Sequence, residues 1–271
     1  MSDVRLVVLG AGGRMGRRIV ALAEEGAGTT VAAAIEAAGS PLLGRDVGDL
    51  AGIGPIGVAV SADYEAAAAS GVVALDFTAA EAAVEHARTA ARTNTAIVIG
   101  TTGFSAAQRR EIEQLAARTP ILLAANMSVG VNVLLGLVRE AVRRLGPAFD
   151  IEIVEIHHNK KKDAPSGTAL ALAAAAAGAA GVDPAQDLTL ARQGLTGERR
   201  PGEIGVLAVR GGDNVGEHSV MLLGTGERLE LVHRASSRDC LAAGAVRAGL
   251  WLADKGPGLY SMEDVLGLTV G

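Results

Sequence analysis

The chain has 271 residues, 49% hydrophobic and 20% charged, enough for one large domain or two modest ones and too apolar for a disordered chain. A net charge of −5 without a basic tail argues against nucleic acid as a partner, and aromatics at only 2% leave the core to Ala, Val, Leu and Ile. The single cysteine, Cys240, can form no intrachain disulfide and reads as packing in a reducing compartment.

Residues 1–10 lack a basic segment ahead of a long apolar stretch, so no signal peptide is expected. Strand-like runs at residues 5–9, 30–35, 72–77, 96–99 and 121–125 alternate with helical stretches at 15–24, 80–92 and 106–118. This alternation predicts a parallel sheet covered on both faces. The pattern changes after Asn126: a helix at 131–145 leads to a strand at 150–157 and then to an alanine-rich helix. Its apolar run, residues 169–180, is about half a membrane span, so no membrane is expected and the cytoplasm is the default setting. Three successive strands at 204–210, 217–223 and 228–233 predict an antiparallel or mixed sheet in a second domain, before a final helix at 238–253.

Between the first strand and first helix stands Gly10-Ala11-Gly12-Gly13-Arg14-Met15-Gly16, with Gly10, Gly13 and Gly16 spaced as GxxGxxG. Such a turn needs residues without Cβ where backbone approaches a pyrophosphate, and the helix start offers N–H groups to it. Glu36, closing the second strand, is placed to accept hydrogen bonds from a ribose diol. A carboxylate there repels a 2′-phosphate, and Ala37 and Ala38 add no cation, so NADH is favoured with NADPH tolerated. Arg14 is either a phosphate ligand or a solvated surface side chain. Gly100, Thr101, Thr102 and Gly103, like Ala124, Ala125, Asn126 and Met127, follow strand ends and are candidates to complete the cofactor site, as are Asp76, Phe77 and Thr78.

The most informative stretch runs from Glu155 to Ala169: His157 and His158 at a strand end, then Lys160, Lys161 and Lys162, then Pro165, then Ser166 capping a helix whose first turn holds Gly167 and Thr168. A helix start beside lysines is an anion site suited to a small carboxylate. Hydride reduction leaves a carbanion-like or enamine product that needs a proton, and histidine supplies one at neutral pH. Neighbours on a strand face opposite ways, so His157 and His158 are expected to differ in role unless the strand has already ended.

This string matches the pattern HHxxKxDAPSGTA, and the chain resembles the 4-hydroxy-tetrahydrodipicolinate reductase (dihydrodipicolinate reductase) family of the diaminopimelate–lysine pathway. The resemblance extends through the glycine loop, Gly100 to Gly103, Asn126 to Asn132, Gly197 to Arg199, Gly216 to His218, His233 to Arg238 and Gly244 to Arg247. It implies a Rossmann-type dinucleotide-binding domain, residues 1–127 and 238–271, which the chain's end rejoins. It also implies a mixed-sheet substrate-binding domain, residues 128–237, that assembles homotetramers, and a small cyclic dicarboxylate as substrate. By resemblance His157 is the general acid, Lys161 its partner, and His158, Gly167 and Thr168 ligands of substrate carboxylate. Gly10, Gly12, Gly13, Arg14, Met15, Gly16, Glu36, Gly100, Thr101, Thr102, Ala124, Ala125, Asn126 and Met127 line the cofactor, and no metal is assigned. Family members that use NADPH well often carry arginine where this chain has Ala37, and Met127 stands where phenylalanine is common. Asn159 and Lys160 fall at free positions of the pattern and receive no role. A reductase of another small carboxylate shares these features; against a non-catalytic NAD(H)-binding regulator stand His157, Lys161 and the Ser166-Gly167-Thr168 helix start.

Overall fold

Residues 6–9 have no exposed surface, the condition of a central strand covered on both faces. Alternation sends Leu6 and Val8 into one cluster and Val7 and Leu9 into another. The computed structural model describes residues 3–268. In chain order it begins with β1 (Val4–Leu9), α1 (Arg14–Glu25), β2 (Thr29–Ile35), α2 (Val47–Ala51), β3 (Val60–Ser61) and α3 (Tyr64–Ala67). There follow β4 (Val72–Asp76), α4 (Ala80–Thr93), β5 (Ala96–Ile99), α5 (Ala106–Leu115) and β6 (Pro120–Leu123). Next come α6 (Val129–Leu145), β7 (Asp150–His157), α7 (Gly167–Ala180), α8 (Pro184–Asp187), β8 (Leu188–Thr189), β9 (Ile204–Arg210), β10 (Gly216–Gly224) and β11 (Glu227–Ala235). The chain closes with α9 (Asp239–Leu252), β12 (Gly258–Tyr260) and α10 (Met262–Leu266). No described helix is long and apolar enough to cross a membrane.

Two compact units result, Met1–Val129 with Asp239–Gly271, and Gly130–Arg238. The first holds a seven-stranded parallel sheet of order β12-β6-β5-β4-β1-β2-β3. One face packs on α1, α2, α9 and α10, the other on α3, α4 and α5. The order reverses beside β1, and ligands of such doubly wound sheets bind outside the strand ends at that switch point. The second unit holds a five-stranded sheet of order β11-β10-β7-β9-β8. It is mixed: β7 runs parallel to β9, and β10 antiparallel to β7 and β11. Ile151, Ile153, Ile204, Val206, Val220 and Leu222 pack against α6 and α7.

The long elements match the sequence expectation closely. The helix expected over 106–118 stops at Leu115, because Ala117 and Arg118 turn back to the carbonyls of Gln114 and Leu115. β6 begins at Pro120 and ends before Ala124, two residues short of the expected 125, where the backbone turns toward Ile99. The short elements α2, α3, α8, α10, β3, β8 and β12 escaped the sequence reading; at two to five residues they carry no hydrophobic period.

The scarcity of aromatics shows in α7. Ala169, Leu172, Ala173, Ala176 and Ala177 are fully buried, so alanine brings the helix close to the sheet. Ala176→Leu should overpack this contact and lower unfolding stability by about 1–3 kcal/mol. Ala174, exposed on the same helix, should accept leucine within about 0.5 kcal/mol. Denaturant titration of the two variants measures the difference.

Candidate active site

At the end of β1 the backbone needs glycine twice. Gly10 has φ +76°, and a Cβ on Gly16 would lie 2.2 Å from the Gly10 carbonyl oxygen. The turn is held by bonds from Gly10 N and Ala11 N to Ile35 O (2.9 and 3.1 Å) and from Gly13 N to Gly10 O (3.0 Å). α1 then starts at Arg14, which is exposed, while Met15 packs on the core. Glu36 follows β2, and one of its oxygens accepts from Gly12 N at 2.7 Å. The carboxylate is thereby fixed beside the glycine turn. Arg17 Nε donates to Gly12 O at 2.8 Å from the helix side.

The ends of β4 and β5 are locked by Asp76, a carboxylate with no exposed surface. It accepts from Thr78 N (3.1 Å), Thr78 Oγ1 (2.8 Å), Thr101 Oγ1 (2.6 Å) and His86 Nδ1 (2.6 Å). The Thr101 hydroxyl is thus turned inward, while Thr102 is exposed and Gly100 lies against the Phe77 ring. After β6, Ala124 N bonds to Ile99 O, Ala125 is exposed, and Asn126 Oδ1 accepts from Ser128 N at 2.8 Å. Met127 is 1% exposed and belongs to the core, so its side chain supports the loop from below. All these segments lie at the C-terminal edge of one parallel sheet. The edge fits a dinucleotide: a cradle that a Cβ would fill, a helix start behind it, and a carboxylate pinned beside it.

In the second unit, alternation along β7 turns Glu155 and His157 to the same face as Ile151 and Ile153. β7 ends at His157, so His158 lies beyond the strand, its N–H bonded to Asn214 O at 2.8 Å. His157 Nδ1 is 2.5 Å from Glu155 Oε2, and a Cβ on Gly216 would sit 2.9 Å from His157 Nε2. Glu155 has no exposed surface and, among the described residues, four donors: His157 Nδ1, two nitrogens of Arg210 at 2.7 Å each, and Ser166 N at 3.0 Å. Burial alone pushes its carboxyl up; Arg210, His157 and the Ser166 N–H outweigh that and hold it below the usual carboxylate range. Lys161 Nζ donates to both oxygens of Asp163 (3.0 and 2.8 Å).

Ser166 caps α7 by accepting from Ala169 N, and the exposed Gly167 begins the helix beside Thr168. Ser166 Oγ also lies 3.1 Å from Nε2 of His218, which is 4% exposed and meets the His157 ring edge-on at 5.3 Å. Register places Glu155, His218 and His233 side by side on β7, β10 and β11. Nδ1 of His158, His218 and His233 finds no hydrogen-bond partner among the described residues. Sequence reasoning foresaw His157, His158, Lys161 and the helix start as neighbours. It gave no role to Glu155, whose signal was its place two residues before His157 on one strand face. Arg210 and His218 come from strands more than 50 residues away; the resemblance touches His218 through Gly216-Glu217-His218 without giving it a role, and nothing local marks Arg210.

A switch-point cradle in one unit, and a carboxylate-backed histidine beside a lysine and a helix start in the other, define a dinucleotide-dependent reductase. Residues 4–127 match the description "Dihydrodipicolinate reductase, N-terminus" and residues 130–266 match "Dihydrodipicolinate reductase, C-terminus". The chain belongs to the dihydrodipicolinate reductase family. The 4-hydroxy-tetrahydrodipicolinate reductase of Anaeromyxobacter dehalogenans (strain 2CP-C) is 51% identical over 267 residues, which cover 98% of this chain and 99% of that one. Its counterpart from Anaeromyxobacter sp. (strain Fw109-5) is 53% identical over 265 residues, 98% of each chain. A solved dipicolinate-bound dihydrodipicolinate reductase from Paenisporosarcina sp. TG-14 shares the fold with a TM-score of 0.76 at 23% identity, covering 96% of this chain and 97% of its own.

Burial, then the neighbouring His157, lowers the pKa of His218 from 6.5 to about 4, and burial lowers that of His233 too. Between pH 6.5 and 4 the unfolded chain therefore holds a proton on His218 that the folded chain does not. Stability from this residue is complete above that window and falls as pH drops through it, by about 3 kcal/mol in all. Unfolding midpoints measured across the window should fall less steeply in His218→Gln.

Proposed function

We propose that the chain reduces 4-hydroxy-tetrahydrodipicolinate, by way of dihydrodipicolinate, to tetrahydrodipicolinate with NADH or NADPH, in the diaminopimelate route to lysine. The observation that carries this reading is His157, backed by a buried carboxylate, at a strand end that continues into Lys161 and the start of α7. The names of the relatives that cover the full chain support it.

A reduced nicotinamide, when bound, supplies the hydride. Elimination of water from the 4-hydroxy form leaves a conjugated ring; hydride enters it, and the adjoining carbon takes a proton. The His157 imidazolium gives that proton from Nε2 and is left neutral, since the Nδ1 proton stays on Glu155's side of the ring. Lys161 gives up Asp163 for a substrate carboxylate and polarises the ring. His158 and the N–H groups of Gly167 and Thr168 hold carboxylate at the positive end of α7. Gly10, Gly12, Gly13, Arg14, Met15 and Gly16 hold the pyrophosphate, and Glu36 the adenosine ribose. Gly100, Thr101, Thr102 and residues 124–127 shape the nicotinamide side through backbone. Glu36, pinned by Gly12 and followed by Ala37, favours NADH.

Aspartate semialdehyde, pyruvate and the upstream synthase, supplied together, should drive oxidation of NADH faster than of NADPH as followed by absorbance. Oxidation of neither would rule out the reductase reading. His157→Gln should lower kcat on the order of 10²–10⁴-fold with cofactor affinity intact; unchanged turnover removes His157 from the acid role.

The working form we propose is a cytoplasmic homotetramer built on the second unit. Opposite its core, that sheet turns out Val154, Ile156, Leu207, Val209, Met221, Leu223 and Val232, with Val209 45% and Val232 40% exposed. Light scattering should find four chains per particle, and Met221→Glu should yield a smaller species; a monomeric wild type would end this reading.

A further inference from the structure

An ionised carboxylate accepts hydrogen bonds and donates none, and a guanidinium stays charged at any pH a protein meets. Arg210 binds both oxygens of Glu155, one nitrogen to each at 2.7 Å, so the contact is bidentate. With Glu155 ionised, the proton of the short contact between His157 Nδ1 and Glu155 Oε2 belongs to the ring nitrogen. The neutral ring then carries its proton on Nδ1 and its lone pair on Nε2, the nitrogen beside Gly216.

Arg210 reaches further. The nitrogen that binds Glu155 Oε1 also donates to Asp163 O at 2.7 Å, and the other donates to Val209 O at 2.7 Å. Asp163 is the residue whose side chain grips Lys161. The fourth donor to Glu155 is Ser166 N, at the cap of α7. One guanidinium–carboxylate pair therefore ties the histidine, the lysine-bearing loop and the anion-binding helix start to the same sheet end. Among the described residues, His218 on β10 meets the His157 ring edge-on, with His233 next to it on β11, and Lys161 in the following loop lies near enough to His218 to lower its pKa.

We infer that Glu155 and Arg210 are positioning residues: Glu155 fixes the His157 tautomer so that Nε2 is the nitrogen that exchanges the proton, and Arg210 holds both Glu155 and the Lys161 loop in register with it. The inference deepens the proposed mechanism and rests on His157 being the proton donor there.

The test uses the full chain labelled with ¹⁵N-histidine, the His157 signals being those lost in His157→Gln. In the wild type, at a pH where the ring is neutral, His157 should show the Nδ1–H pattern. In Glu155→Gln that pattern should give way to a mixture of tautomers, with kcat lowered on the order of 10²-fold and the KM for NADH little changed. Arg210→Lys keeps the charge but cannot bridge two acceptors in one plane; it should raise the KM for substrate more than it lowers kcat. Glu155→Asp should recover part of the Glu155→Gln loss. A wild-type ring protonated on Nε2 overturns the inference, and so does a Glu155→Gln protein that keeps the Nδ1–H pattern. Should Glu155→Gln fail to fold, the wild-type spectrum and Arg210→Lys still decide. Because the spectrum reads the tautomer without turnover, it stands apart from the acid role of His157, which His157→Gln tests by itself.

Discussion

Taking an ionised carboxylate out of water costs several kcal/mol unless donors surround it. Each unit of this chain buries a carboxyl group at the C-terminal end of a strand: Asp76 on β4 and Glu155 on β7, both without exposed surface. Around each, segments from different elements converge because the buried oxygens must be given hydrogen bonds. Asp76 gathers Thr78, Thr101 and His86 and so sets the shape of the loops at the sheet edge. Glu155 gathers Arg210, His157 and Ser166. In the first unit the loops after β4 and β5 rest on Asp76; in the second the lysine loop and the start of α7 rest on Glu155 and its partner Arg210.

The two anchors differ in the donors that surround them. Glu155 has a permanent cation in Arg210, so its ionisation is guaranteed by a neighbour that cannot give up its proton. Asp76 relies on two hydroxyls, a backbone N–H and a histidine nitrogen. The first arrangement suits the role we propose for its partner His157, handing a proton to a substrate and taking another. The second suits a fixed loop scaffold around a cofactor.

The parts of this architecture that follow from local sequence were legible in it. Short apolar runs predicted β1, β4 and β5, and a helical stretch α4, nearly to the residue, since burial on both faces leaves a continuous apolar run and burial of one helix face leaves a period. The glycine turn and the string from His157 to Thr168 were legible because their residues adjoin one another. Thr101 and Met127 were named as cofactor residues for their loop positions. The structure turns the Thr101 hydroxyl toward Asp76 and sinks the Met127 side chain in the core, because strand-end loops need internal anchors as well as surface. Arg210 and His218 reach the site only through sheet pairing, with His157 opposite Arg210 and Glu155 opposite His218. Such register is set by tertiary packing, and a single sequence does not display it.

The seven-stranded sheet is completed by the last part of the chain: α9 packs its core and β12 extends its edge beyond β6. The second unit, by contrast, is one uninterrupted stretch. During synthesis the first six strands therefore emerge with one face short of its helix, and stay so while the whole second unit is made. A chain stopped before Asp239 would keep the part of that face under α9 and α10 uncovered permanently. The order of translation thus makes full length a condition for a finished cofactor unit, and leaves a truncated product marked by exposed hydrophobic surface as a target for chaperones and proteases.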